Sequence, residues 1–198
     1  LLNRSEKTEL REQKTALIER QIGNIDHLVT MLGLQANVDS QLGVPLRQRL
    51  NVNSVIETLI DGLQSSAGLY HTTFTAQFAE TVPWVMGDAE QLNIALRQIA
   101  ENALRYTPSG GMVTVRVRLE YPSVFIEIQD NGAGIPSEAL PHIFDRFYRH
   151  DVAHTTPGFG LGLSIAARII DHHGGEIRVE SAMGVGSTFT IVLPLAAN

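Results

Sequence analysis

The sequence predicts an α+β fold, a single mixed sheet covered on one face by helices. Three observations carry that expectation. Leu92, Leu96, Ile99 and Ala103 recur at helical spacing. Val113, Val115, Val117 and Leu119 alternate with Thr114, Arg116, Arg118 and Glu120, the two-residue period of a strand with one wet face. Strand and helix signals are segregated along the chain rather than strictly alternating, which favours α+β over a doubly wound sheet. With 198 residues, 43% of them hydrophobic, the chain can bury a real core.

The elements follow in order. From about Glu9 to Gln35 the chain reads as a helix, because Leu10, Leu17, Ile18, Ile22, Ile25, Leu28 and Leu32 return every three or four residues. A long lone helix cannot bury that stripe, so pairing with another helix, in a bundle or a dimer, is expected. Leu1 and Leu2 read as the end of a preceding helix, joined through Asn3 to Glu6. The pattern breaks between Asn37 and Arg47, where Gly43 and Pro45 mark a linker. The expected division is a helical element over 1–40, a linker over 41–47 and a domain over 48–198.

Within that domain, Arg47–Val52 is predicted as a strand and Asn53–Gln64 as a helix capped by Asn53. Strands are expected at Thr72–Phe78 and Trp84–Met86. Asp88 caps a helix running to Tyr106. Met112–Tyr121 and Val124–Asp130 form a hairpin turned at Tyr121-Pro122-Ser123. A loop-rich stretch spans 131–160. Leu161–His173 is a helix stopped by Gly174-Gly175, and Glu176–Ser181 with Ser187–Leu193 makes a last hairpin.

Composition narrows the function. The net charge of -6 and the lack of a basic cluster argue against a nucleic-acid partner. The absence of cysteine excludes disulfides and thiolate metal sites. No apolar run approaches the roughly 18 residues of a membrane span, and the start carries no signal-peptide pattern. A cytoplasmic location is therefore expected, with a membrane anchor upstream left open. The chain begins at Leu1 rather than Met, so it reads as cut from something longer.

Four segments carry chemistry. On the helix from Asp88 to Tyr106, Gln98, Asn102 and Arg105 share a stripe at the border between core and water, with Glu90, Arg97 and Glu101 farther toward solvent. Such a stripe is often merely solvated. An Asn there can also offer its amide oxygen to Mg²⁺, and an Arg can meet a phosphate. Asp130-Asn131-Gly132-Ala133-Gly134-Ile135-Pro136 follows a strand. Asp130 can accept a hydrogen bond from an exocyclic amine, although the same letters also make an ordinary turn. Gly158-Phe159-Gly160-Leu161-Gly162-Leu163-Ser164 opens a helix whose first N–H groups favour an anion. Gly184-Val185-Gly186-Ser187-Thr188-Phe189 lies between two strands and alone is a glycine-bearing hairpin.

Taken in order, these segments closely resemble the nucleotide-binding boxes of sensor histidine kinases within the GHKL ATPase superfamily. Gln98 to Pro108 looks like the N box and Asp130 to Pro136 like the first glycine box. Ile143 to Arg149 looks like the F box. Gly158 to Leu163 and Gly184 to Gly186 look like the later glycine boxes. The resemblance covers nearly all of Arg47 to Pro194. It implies a two-layer α/β sandwich, binding of ATP or ADP with Mg²⁺, and transfer of the γ-phosphate to a histidine for relay to the receiver domain of a response regulator. The first helix resembles the second helix of the family's dimerisation and phosphotransfer hairpin, which implies a homodimer in the full-length protein.

The resemblance also implies roles. Asn102 would bind Mg²⁺ and, with Gln98, act in catalysis. Asp130 would contact the adenine amine, with Tyr106 packed beside the base. Arg105 and Arg149 would face phosphates. Gly132, Gly134 and Ile135 would close around the base. Gly160, Leu161 and Gly162 would carry phosphate contacts, and Thr188 would complete the nucleotide site. Residues from Pro136 to Phe159 would form a mobile lid anchored by Phe144 and Phe147. Gln98 stands where the family usually has Asn, and Pro157 and Phe159 stand where it has small residues.

The family's acceptor histidine lies on the hairpin's first helix, upstream of Leu1, so self-phosphorylation of this chain is not expected. His27 is followed by Leu28 rather than an acid, and His150-Asp151 falls in the lid. The remaining histidines, His71, His142, His154, His172 and His173, read as surface or packing residues. Two other functions fit parts of the pattern: another GHKL ATPase or anti-sigma-type serine kinase, and a nucleotide-binding scaffold without kinase activity.

Overall fold

A computed structural model describes residues 14, 15, 29, 33, 47–150 and 159–197. Lys14, Thr15, Val29 and Gly33 are helical and exposed. The rest of the predicted first helix, His27, the linker before Arg47, and residues 151–158 of the expected lid lie outside the described residues.

The order is β1 (Gln48–Asn51), α1 (Val52–Tyr70), β2 (Thr73–Gln77), β3 (Trp84–Gly87), α2 (Ala89–Tyr106), β4 (Met112–Glu120), β5 (Ser123–Asp130), α3 (Gly162–His172), β6 (Glu176–Ala182) and β7 (Gly186–Pro194). Strands β2-β4-β5-β7-β6 form one mixed sheet in which only β2 and β4 run parallel, while β1 and β3 pair apart from it. The β1–β3 pair is extended by Leu195, bridged to Val85, and by Ala196, whose N–H reaches Trp84 O at 2.7 Å.

Strand alternation sends Val113, Val115 and Val117 of β4, Ile126 and Ile128 of β5, and Phe189 and Ile191 of β7 to one face. The three helices cover that face with Ile56, Leu59 and Leu63 from α1, Leu96 and Ile99 from α2, and Ile165 and Ile169 from α3. Each fully buried Leu or Ile contributes about 1.5–3 kcal/mol relative to exposure. The opposite face is polar: Glu127 accepts from Arg118 at 2.6 Å and from Arg116 at 3.3 Å.

Three expectations need correction. The cap of α1 is Asn51, whose side chain accepts from Asn53 N–H at 2.9 Å, so the helix starts before Asn53. Val52 is buried and extends the helical apolar face forward. The same helix runs past Gln64 to Tyr70, because Ala67 is buried within it and His71 closes it in the left-handed conformation at φ 52°. Ser65, Ser66 and Gly68 look like helix breakers in sequence, but packing outweighs their weak local preference. Phe147 does not anchor the lid: it is 63% exposed and sits at φ 64°. Phe144 and Ile143 pack against the core instead.

Candidate functional site

The end of β5 and the start of β7 are paired, with Asp130 opposite Ser187. Asp130 is also opposite Val113, so its side chain turns to the helix-covered face. Its Oδ1 accepts from the N–H of Gly132 at 2.9 Å and of Ser187 at 3.2 Å. Neither bond uses Oδ2, and Asp130 lines a cleft of about 730 Å³. Burial pushes the Asp130 carboxyl above its ordinary range, opposed by the two backbone N–H groups. A buried carboxylate on a cavity wall, with one oxygen fixed by two backbone N–H groups and the other outside those bonds, is built to receive a donor.

The loop after Asp130 is held by its backbone. Ala133 N–H donates to Tyr106 O at 3.2 Å, and Gly184 N–H donates to Ala133 O at 2.8 Å. Gly134 adopts φ 74°, and a Cβ there would sit 2.1 Å from Ala182 O, so only glycine lets the loop lie against the β6–β7 turn.

The other wall is α2 and the start of α3. Asp88 caps α2 by accepting from Glu90 and Gln91 N–H at 3.0 Å, which fixes the helix that carries Gln98, Asn102, Arg105 and Tyr106 into the cleft. Gln98 is 9% exposed rather than at the border. Its Oε1 lies 2.4 Å from where a Cβ on Gly162 would be, so it lies directly against the first turn of α3. Leu161, at the N-cap of α3, makes no side-chain cap bond, leaving the first N–H groups of that helix for other acceptors. Gly160, Leu161 and Gly162 line the cleft.

The structure thus brings Gln98, Asn102, Arg105, Tyr106, Asp130, Gly134, Ile135, Arg149, Gly160, Leu161 and Gly162 to one cleft. Gly132 stands behind Asp130 and donates to it. Thr188 is not brought in. It pairs with Gln129 on one side and Glu180 on the other, in the part of β7 whose alternation sends Ser187 and Phe189 inward. Ser187, Tyr148 and Met183 line the cleft and were not expected. The signal for Ser187 was the strand period itself, which fixes Phe189 inward and therefore Ser187. Among the described residues no three His, Cys, Asp or Glu groups could hold a metal ion, so a cation here would need amide oxygens together with ligand phosphates. Asn102 fits that requirement.

A cleft floored by a buried carboxylate and walled by a helix start, on a one-sided α+β sandwich, defines a nucleotide-binding ATPase domain. The chain belongs to the family described as histidine kinase-, DNA gyrase B-, and HSP90-like ATPase, whose profile matches residues 87–197. It is 32% identical over 180 residues to the sensor histidine kinase RppB of Synechocystis, covering 90% of this chain and 40% of that protein. It is 39% identical over 128 residues to the sensor histidine kinase WalK of Bacillus subtilis, covering 63% of this chain and 21% of that protein. The chain therefore spans less than half the length of these relatives. Among solved structures, the mycobacterial sensor histidine kinase MprB matches with TM-score 0.67 and 28% identity, over 77% of this chain and 100% of that one. The domain is the ATP-binding catalytic domain of sensor histidine kinase type.

Proposed function

We propose that this chain binds Mg-ATP in the cleft and, within its full-length protein, delivers the γ-phosphate to a histidine for relay to a response-regulator receiver domain. The observation that carries the reading is Asp130, with Oδ1 tied to Gly132 and Ser187 and Oδ2 left for a donor such as the adenine amine. Tyr106 would pack beside the base, and Ile135 would close over it. Asn102 would offer its amide oxygen to Mg²⁺ alongside phosphate oxygens. Gln98 would orient the reacting end, and Arg105, Arg149 and the N–H groups of Gly160 to Gly162 would meet phosphate. The contribution of these residues is position and charge neutralisation rather than covalent chemistry. Residues 1–40 would belong to a dimerising helical hairpin, joined through a linker over 41–47 to the domain over 48–198.

Calorimetry with Mg-ATP and with ADP tests the site. Asp130→Asn should lose affinity while staying folded, and Asn102→Ala should lose the Mg²⁺ dependence. Wild-type metal dependence in Asn102→Ala would remove Asn102 from the metal role. Incubation with γ-labelled ATP tests the relay: this chain alone should take no acid-labile label, and adding the upstream helix should restore it. Label on the chain alone, abolished by His27→Gln or His150→Gln, would place the acceptor within these residues.

A further inference from the structure

We propose that Ser181, outside the cleft, determines which nucleobase the cleft accepts by fixing the proton of Ser187. This rests on the nucleotide reading above.

Ser181 and Ser187 are opposite each other on β6 and β7. Ser181 Oγ makes three contacts: it accepts from Ile135 N–H at 2.7 Å, meets Gly186 O at 2.9 Å and meets Ser187 Oγ at 2.9 Å. A hydroxyl has one proton to give. The Gly186 carbonyl cannot donate, so that contact is attractive only if Ser181 gives its proton there. Ser187 must then donate to Ser181. The reverse arrangement, with Ser181 donating to Ser187, leaves two acceptor oxygens facing each other at 2.9 Å at Gly186. Only one proton order satisfies all three contacts.

The consequence appears in the cleft. Ser187 is 6% exposed and lines it next to Asp130. With its proton committed to Ser181, Ser187 Oγ offers lone pairs only. Asp130 Oδ2, as a carboxylate oxygen, also offers lone pairs only. The base-binding end thus presents two acceptors side by side. An exocyclic amine, as in adenine, satisfies both. A carbonyl at the same position, as in guanine, meets two acceptors and is rejected. A site built to pair one polar pattern discriminates strongly against its inverse. Removing the Ser181 hydroxyl frees the Ser187 proton to turn and donate to that carbonyl.

The test is the ratio of ATP to GTP affinity by calorimetry, because loosening of the Ile135 loop alone would weaken both nucleotides together. In Ser181→Ala the ratio should fall about tenfold, the size of one hydrogen bond gained by GTP. In the double variant Ser181→Ala/Ser187→Ala no hydroxyl remains to donate, and the preference for ATP should return. Ser181→Cys keeps the volume with only a weak donor and should shift the ratio in the same direction by less, which covers the case in which Ser181→Ala does not fold. An unchanged ratio in the folded Ser181 variants overturns the proposal. So does a double variant as indiscriminate as Ser181→Ala. If the wild-type chain binds neither nucleotide, the site reading itself fails, and this inference falls with it.

Discussion

His173, at the end of α3, accepts the backbone N–H of Asp88, at the start of α2, on its Nε2 at 3.0 Å. Its Nδ1 lies 2.7 Å from Ile169 O, an acceptor, so Nδ1 carries the proton and the ring is neutral. One imidazole therefore joins the two helices that wall the cleft.

That ring predicts a pH-dependent stability. Burial holds the His173 pKa below the ordinary histidine range. The Ile169 carbonyl and Asp88 oppose this, while Arg47 and His172 add to it. Unfolded His173 takes up a proton near pH 6.5, whereas the folded ring stays neutral to lower pH. Its contribution is full above that value and is lost as pH falls from there through the folded pKa. Urea unfolding from about pH 7.5 to about pH 5.5 should show this loss in the wild type and a flatter profile in His173→Gln. His173→Ala strands the Asp88 N–H and should cost about 1–3 kcal/mol at neutral pH. Parallel profiles for wild type and His173→Gln would sink the assignment.

Asp130 should separate stability from binding. Its folded pKa is raised by burial, so its stabilising contribution is present below the unfolded carboxylate value and lost as pH rises through the folded one. Above the folded value the buried charge is a liability to the fold. Asp130→Asn keeps an oxygen for Gly132 and Ser187 and removes that charge, so Tm should hold or rise. Affinity for ATP should fall about a hundredfold, because an amide N–H₂ then faces the adenine amine. A lower Tm with unchanged affinity would make Asp130 a structural residue only.

Gly162 and Gln98 should be coupled. A Cβ at Gly162 would meet Gln98 Oε1 at 2.4 Å, and a flexible side chain can move aside. Gly162→Ala should leave the fold intact and cost about 1–2 kcal/mol of nucleotide binding by displacing Gln98. In a Gln98→Ala background the same change should cost much less. Additive losses in this cycle would show that the two do not act through each other.

Glu127 supplies the contrast. It links Arg116 and Arg118 on the polar face of the sheet, away from the cleft. Both arginines are about 40% exposed, at 40% and 42%, and solvent screens such pairs. Glu127→Gln should change unfolding free energy by less than about 1 kcal/mol and leave nucleotide affinity unchanged. A binding defect would mean that the outer face communicates with the cleft.

Much of this was legible in the sequence because it rests on local rules. Asp88 as a cap, the alternation in β4 and the helix from Ala89 to Tyr106 follow from spacing alone. What was missed depended on partners distant in the chain. Asn51 and Asn53 are equally good caps by residue type, and burial of Val52 decides between them. The resemblance implies Phe147 as a lid anchor, yet in the turn that bonds its N–H to Gly160 O the ring is exposed. The resemblance implies Thr188 at the nucleotide site, whereas the strand period with Phe189 inward turns Ser187 to the cleft. The contact of Gln98 with Gly162 spans two helices, and no single-segment pattern carries it.

The small sheet outside the main one has a mechanical meaning. β1 and Leu195 both run antiparallel to β3, on either side of it. The chain enters at the Gln48 end, opposite Gly87, and leaves beyond Ala196, opposite Trp84. Tension between the two termini therefore pulls along the strand axis and loads the bonds of this ribbon together, in shear. Both ends of the ribbon are also tied to the larger body: Arg47, just before β1, donates to His172 O of α3 at 2.7 Å, and Leu195 N–H donates to Pro122 O at 3.0 Å, so a load along the ribbon is shared with the end of α3 and the β4–β5 turn.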